Sequence, residues 1–122
     1  MLTIALPIPK ANDPNARRHW GDKRRLVKSE REGAWAAARQ AIEHGPAPKW
    51  DAGKVLVVWT AKDKRGIIDP DNCVSRCKPL IDGLVDAGVF VTDKRVTVEI
   101  VPEVGPNPGV VLHCKPQEES AT

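Results

Sequence analysis

The side chains best suited to chemistry lie in the stretch 67–93, IIDPDNCVSRCKPLIDGLVDAGVFVTD. Asp69 and Asp71 are one residue apart. In an extended segment residues i and i+2 project to the same side, so both carboxylates can face one spot. Asp71 also stands where a helix is expected to begin, and Asp is a favoured N-cap. Asp93 follows that helix, and the returning chain can bring it back toward the pair. Three gathered carboxylates without a cation repel one another and raise each other's pKa. A hard, oxygen-preferring ion, Mg²⁺ or Mn²⁺, removes the conflict, activates a bound water and polarises a phosphodiester. Asp69, Asp71 and Asp93 are therefore the expected metal ligands. Lys78 lies seven residues after Asp71, close to two helical turns and on nearly the same face. There it could bind the scissile phosphate or stabilise the charge that develops on it. Taken singly, each residue is more often an ordinary surface Asp or Lys, and Asp-x-Asp is common in turns and caps. The weight rests on the set.

A second feature suits the same target. Arg17, Arg18, Lys23, Arg24, Arg25, Lys28 and Arg31 fall close together, opposed within the segment only by Asp22 and Glu30. A local excess of this kind is what a phosphate-binding surface needs, although a solvated basic segment looks the same in sequence. His19 and Trp20 stand beside the arginines, where they either stack on a base or sugar or pin the segment to the body. Residues 9–28 show no sustained period and many turn formers, and are expected to form a long basic loop.

The elements that must position these groups follow from apolar spacing. Leu2, Ile4, Leu6 and Ile8 alternate with Thr3, Ala5 and Pro7, a half-buried strand over 2–8 with Pro7 at an edge or exit. Ser29 to Glu32 has the pattern of a capping box. A helix is expected from there to Gly45, with Trp35, Ala38 and Ile42 on one face. Lys54–Thr60, KVLVVWT, reads as a strand buried on both faces or nearly so. Cys73, Cys77, Leu80, Ile81, Leu84 and Val85 recur at helical spacing up to Gly88. Residues 96–101 and 109–115 are two further strands, expected to pair as an antiparallel hairpin across the turn formers 102–108. The order β-α-β-α-β-β is most simply an α+β domain, a small mixed or antiparallel sheet with two helices. It occupies 1–115, and 116–122 is expected to be a frayed tail.

With 122 residues, 41% hydrophobic and 29% charged, the chain fits one soluble globular domain. No apolar run approaches a membrane span, and MLTIALPIPK lacks the features of a signal peptide, so a cytoplasmic protein without a membrane partner is the default expectation. The three cysteines, Cys73, Cys77 and Cys114, are odd in number, which argues against a secreted disulfide framework. Core packing is the expected role of these cysteines. A zinc site completed by His113 or Cys114 is the less common alternative.

The motifs DPDN, KPLIDGL and DAGVFVTD together resemble the signature of the RusA-type Holliday junction resolvases, a frequently phage-encoded family. Asp69, Asp71, Asn72, Lys78, Asp82, Gly88 and Asp93 fall on its pattern. The resemblance extends over nearly the whole chain, and its specific part is 69–93. It implies a homodimeric, Mg²⁺-dependent endonuclease that nicks two strands of a four-way DNA junction symmetrically. On that reading Asp69, Asp71 and Asp93 hold the metal and Lys78 is the catalytic lysine. Two departures stand out. The better-known members place the lysine about one helical turn after the second aspartate, whereas CVSRC lengthens the spacing here by nearly another turn, about 4.5 Å along a continuous helix. Pro79 is better tolerated if the helix starts later, near Ser75, and Arg76 is then an alternative to Lys78 as the basic group and a further DNA contact. Thr92 stands where many relatives carry another Asp. A reading from a different class keeps the basic segment and drops the chemistry: a non-catalytic nucleic-acid-binding domain.

Overall fold

The period-two alternation seen in the strands becomes three apolar rows across one sheet face. The computed structural model describes residues 1–13, 18–43, 45–66 and 68–117. In chain order the elements are β1 (Leu2–Leu6), α1 (Trp20–Ile42), β2 (Gly53–Ala61), a short 3-10 turn (Lys64–Gly66), α2 (Pro70–Arg76), α3 (Lys78–Asp86), β3 (Val96–Val104) and β4 (Gly109–Pro116). The four strands form one mixed sheet in the order β1-β4-β2-β3. Its register aligns Leu2–Cys114–Val55–Val98, Ile4–Leu112–Val57–Ile100 and Leu6–Val110–Trp59–Pro102. Most of these pack with Ala34, Ala38, Cys73, Cys77, Leu80, Ile81 and Leu84 into a single core, so the helices cover one face of a small α+β domain.

Two expectations about strands change. The last two strands are not a hairpin: β3 runs parallel to β2, while β4 inserts antiparallel between β2 and β1. The segment α2–α3 is thus the crossover that a parallel pair requires. β2 is also buried on one face only; Val55, Val57 and Trp59 are buried, whereas Lys54, Leu56, Val58 and Thr60 are half-exposed. The first strand stops at Leu6, because Pro7 and Pro9 cannot donate to a ladder.

The helices differ more. The basic segment is not a loop from 9 to 28; α1 begins at Trp20, so Lys23, Arg24, Arg25 and Lys28 lie on a helix and the capping box at Ser29 is inside it. His19 supplies the cap, its Nδ1 accepting from the Gly21 amide at 3.2 Å. No proline falls between Pro14 and Pro46, and Lys and Arg are good helix formers. Trp35 is 46% exposed, so the buried stripe is Ala34 and Ala38 rather than Trp35 and Ala38. Small residues are required there because α1 crosses α3 at Gly83: a Cβ on Gly83 would collide with the Arg31 carbonyl oxygen and sit 2.8 Å from the Ala34 Cβ.

The second helix is two helices. Pro79 has no N–H for the Ser75 carbonyl, so the ladder fails at Cys77, and α3 restarts with proline in its first turn, where it is tolerated. Asn12 Nδ2 donates to the stranded Ser75 oxygen at 3.2 Å. At the far end Gly88 takes φ 85, a left-handed conformation suited to glycine, and the Val89 amide reaches back to the Leu84 carbonyl at 3.0 Å.

Gly83→Ala is expected to destabilise the domain by about 1–3 kcal/mol through overpacking of the α1–α3 crossing. Urea unfolding measures this, and an unchanged midpoint would contradict the close approach.

Candidate active site

The first half of the site is built by local backbone rules. Asp69, not Asp71, is the N-cap of α2; its Oδ1 accepts from the Asp71 amide at 3.0 Å. Pro70 takes the first helical position, where its missing N–H costs nothing, and Asp71 follows in the first turn, where a carboxylate complements the helix dipole. The proline between the aspartates already marked this helix start. Both carboxylates are exposed, and Oδ2 of Asp69 is not used by the cap.

The second half is set by the break at Cys77. Lys78 opens α3 and its Nζ donates to Asp82 Oδ1 at 2.9 Å, an i,i+4 pair, and to Asp93 Oδ2. Asp93 comes from the turn before β3, which is closed by the Val96 amide on the Asp93 carbonyl at 3.2 Å. Thr92 orders this turn: its Oγ1 accepts from the Lys94 amide at 3.3 Å. The two carboxylates hold Lys78 above the ordinary lysine range, Asp93 contributing first, and the Lys78 ammonium in turn holds Asp93 below the usual carboxylate range. Asp82 falls on the pattern of the resemblance but, read as a helix-surface or dimer-related residue, is not among the expected site residues, although its spacing four residues after Lys78 signals the pair.

The expected three-carboxylate seat is not assembled. Among the described residues no three His, Cys, Asp or Glu side chains gather in a way that could hold a metal ion. Asp93 is with Lys78, because an ammonium between two carboxylates relieves the same repulsion that a cation would. What remains for a divalent ion is the Asp69–Asp71 pair. That donor set fits Mg²⁺, which uses one or two carboxylates with waters and substrate phosphates rather than a full protein cage.

The other candidates separate into distinct places. Arg76 does not face a ligand: its side chain is 11% exposed, Nε donates to the Pro9 carbonyl at 2.9 Å, and the guanidinium lies 5.2 Å over the Trp59 ring. It ties the segment after β1 to α2 and, unlike Lys78, presents little of its side chain to solvent. Arg18 donates to the Lys10 carbonyl at 2.7 Å. Glu30 Oε2 accepts from the Lys10 and Ala11 amides at 2.6 and 3.2 Å, fixing the same segment against α1. Lys23, Arg24, Arg25 and Lys28 are exposed on α1, and His19 precedes them as its cap. Arg31 is bidentate to Asp86 at 2.5 and 2.8 Å and belongs to the α1–α3 contact. Arg17 lies outside the described residues.

The cysteines are core residues. All three are free and buried, and burial pushes the Cys77 and Cys114 thiols up to about 12, the opposite of what a zinc thiolate needs. No helix among the described residues is long and apolar enough to cross a membrane.

No protein-family model matches the chain. An uncharacterized protein of Xylella fastidiosa (strain Temecula1 / ATCC 700964) is 33% identical over 96 residues. The match takes in 78% of this chain and 62% of the relative, so the chain spans less than two thirds of that protein's length.

Asp93, with its pKa lowered, stabilises above the ordinary carboxylate pKa, and that contribution is lost as pH falls through the depressed value. Lys78, with its pKa raised, contributes below the ordinary lysine pKa and loses this as pH rises through the raised value. The pair therefore spans the whole neutral range. Asp93→Asn is expected to lower the titration midpoint of Lys78, followed by NMR of its side-chain Cε resonance; a midpoint equal to wild type would contradict the pairing.

Proposed function

We propose that the chain is a divalent-metal-dependent endonuclease of the RusA type, acting as a homodimer on four-way or otherwise branched DNA. The observation that supports it most is the composition of the α2–α3 segment. An exposed Asp-x-Asp pair opens α2, and an exposed lysine, held by two further carboxylates, opens α3. Capping and the helix dipole use Asp69 Oδ1 and favour Asp71 in the first turn, but they leave both carboxylates exposed, and a DNA-binding domain gains nothing from carboxylates placed near phosphate. The positive face of α1 supplies the anion-binding surface such an enzyme requires.

In this reading Asp69 and Asp71 hold Mg²⁺ or Mn²⁺, with phosphate oxygens and water completing the shell. When bound, the ion would supply a water of lowered pKa and polarise the phosphodiester. Lys78 contributes directly: its ammonium, presented at the helix break, pairs with a phosphate oxygen and stabilises charge as it builds. Asp82 and Asp93 orient that ammonium and keep it protonated. The lengthened spacing between Asp71 and Lys78 contains the break at Cys77, so the two residues lie in the first turns of separate helices. Two copies related by a two-fold axis would match two equivalent cutting points on a junction.

The separation of Asp93 from the other two aspartates favours one competing reading, a branched-DNA-binding protein without nuclease activity. Asp71→Asn distinguishes the two. It is expected to abolish Mg²⁺-dependent nicking of a synthetic four-way junction while leaving junction affinity equal or higher, because a negative charge near phosphate is removed. Wild-type cutting by the variant would refute the assignment of Asp71, and a wild-type chain that binds but never nicks would favour the competing reading.

A further inference from the structure

α1 carries a feature that cleavage chemistry does not use. Before Ala34 none of its residues is buried, although the stretch from Trp20 amounts to roughly 20 Å of helix. Trp20, Arg24, Val27 and Arg31, with Lys23 and Lys28 beside them, fall on one helical face and line an open groove. At its end Trp20 is 65% exposed, the most open tryptophan of the chain. Its indole is oriented on two sides without being covered: the His19 ring stacks on it at 5.8 Å and 29°, and the Arg24 guanidinium lies 5.5 Å from its centroid. Among the described residues Lys23 and Arg24 have no ion-pair partner. The pairs of Arg25 with Asp22 at 3.4 Å and Lys28 with Glu32 at 3.9 Å are solvent-exposed and weak.

An exposed aromatic ring held open at the end of a basic track matches a ligand with regularly spaced anionic groups and a flat face. A second copy of this chain fits poorly, because a two-fold contact would lay the same basic groove against itself. Intact duplex offers the charges but keeps its base faces stacked inside the helix. We propose that Trp20, supported by His19 and Arg24, is a stacking platform for an unpaired base at a DNA branch point, and that Lys23, Arg24 and Lys28 follow the adjoining backbone. The inference rests on the reading of the chain as a branched-DNA enzyme and names the feature of the substrate that α1 selects. Trp20 is here a specificity residue; it takes no part in phosphodiester cleavage.

The test is binding by the full chain in EDTA, where cleavage cannot interfere. Two probes are used: a four-way junction with 2-aminopurine at the crossover, and a linear duplex of matched length and composition. Trp20→Ala is expected to weaken junction binding by about 5- to 150-fold, the range for loss of one stacked base, and to change duplex binding by less than about twofold. It should also abolish the change in 2-aminopurine emission that accompanies wild-type binding. Trp20→Phe is expected to recover most of the affinity, and Trp35→Ala, a second exposed tryptophan on the same helix, to behave as wild type. Equal losses on junction and duplex, or no loss on either, would overturn the proposal. So would a lower sedimentation mass for Trp20→Ala, which would make the ring a contact between copies. A wild-type chain that never nicks yet shows the Trp20-dependent preference would remove the endonuclease and keep the platform. Nicking that persists with no effect of Trp20 on binding would do the reverse.

Discussion

One missing hydrogen-bond donor arranges the crossover that holds the candidate site. Pro79 has no N–H, so the chain between β2 and β3 cannot run as a single uninterrupted helix, and its hydrogen-bond ladder breaks at Cys77. The residues around this break are held from outside the two helices. Asn12 takes the Ser75 carbonyl, Arg76 reaches the Pro9 carbonyl across Trp59, and Cys77 turns into the core. All three contacts draw on the segment after β1 or on the sheet, so the break is fixed by tertiary structure rather than by propensity alone. Its consequence is that Lys78 opens a new helix, with its ammonium between Asp82 and Asp93.

Much of this was legible in the residues, where local rules decide. The alternation of Leu2, Ile4 and Leu6 marks β1, Gly88 marks the end of α3, and three apolar cysteines belong in the core. Pro70 between two aspartates is a local signal that Asp69 caps the helix, and it outweighs the argument that places Asp71 there. What was not legible is governed by distant partners. A short connection rich in Gly and Pro between two strands reads as a hairpin, yet β2 already offers both its edges, and β3 and β4 take one each. The basic residues of α1 carry no apolar period because that part of the helix has no fully buried residue, so charge alone could not distinguish helix from loop. Trp35 reads as core by hydrophobicity, but the approach of Gly83 admits only alanine-sized neighbours.

The candidate site shows the same division. The residue types and their order along the chain were evident, but their grouping was not. Spacing cannot reveal that Asp93 returns to the lysine instead of to Asp69 and Asp71, since that depends on the turn ordered by Thr92 and on the helix break at Cys77. Both arrangements answer one electrostatic need: carboxylates brought near phosphate chemistry require positive charge. In the proposed enzyme the ammonium meets that need at one pair of aspartates and a divalent ion at the other, with substrate phosphate shared between them.

The central claim, cleavage of branched DNA, is tested most directly by incubating the purified wild-type chain with a strand-labelled four-way junction, with Mg²⁺ and with EDTA, and mapping the products on a denaturing gel. Paired nicks at symmetric positions on opposing strands, present with Mg²⁺ and absent with EDTA, are the predicted result. A junction that is bound in both conditions and remains intact in both would contradict it.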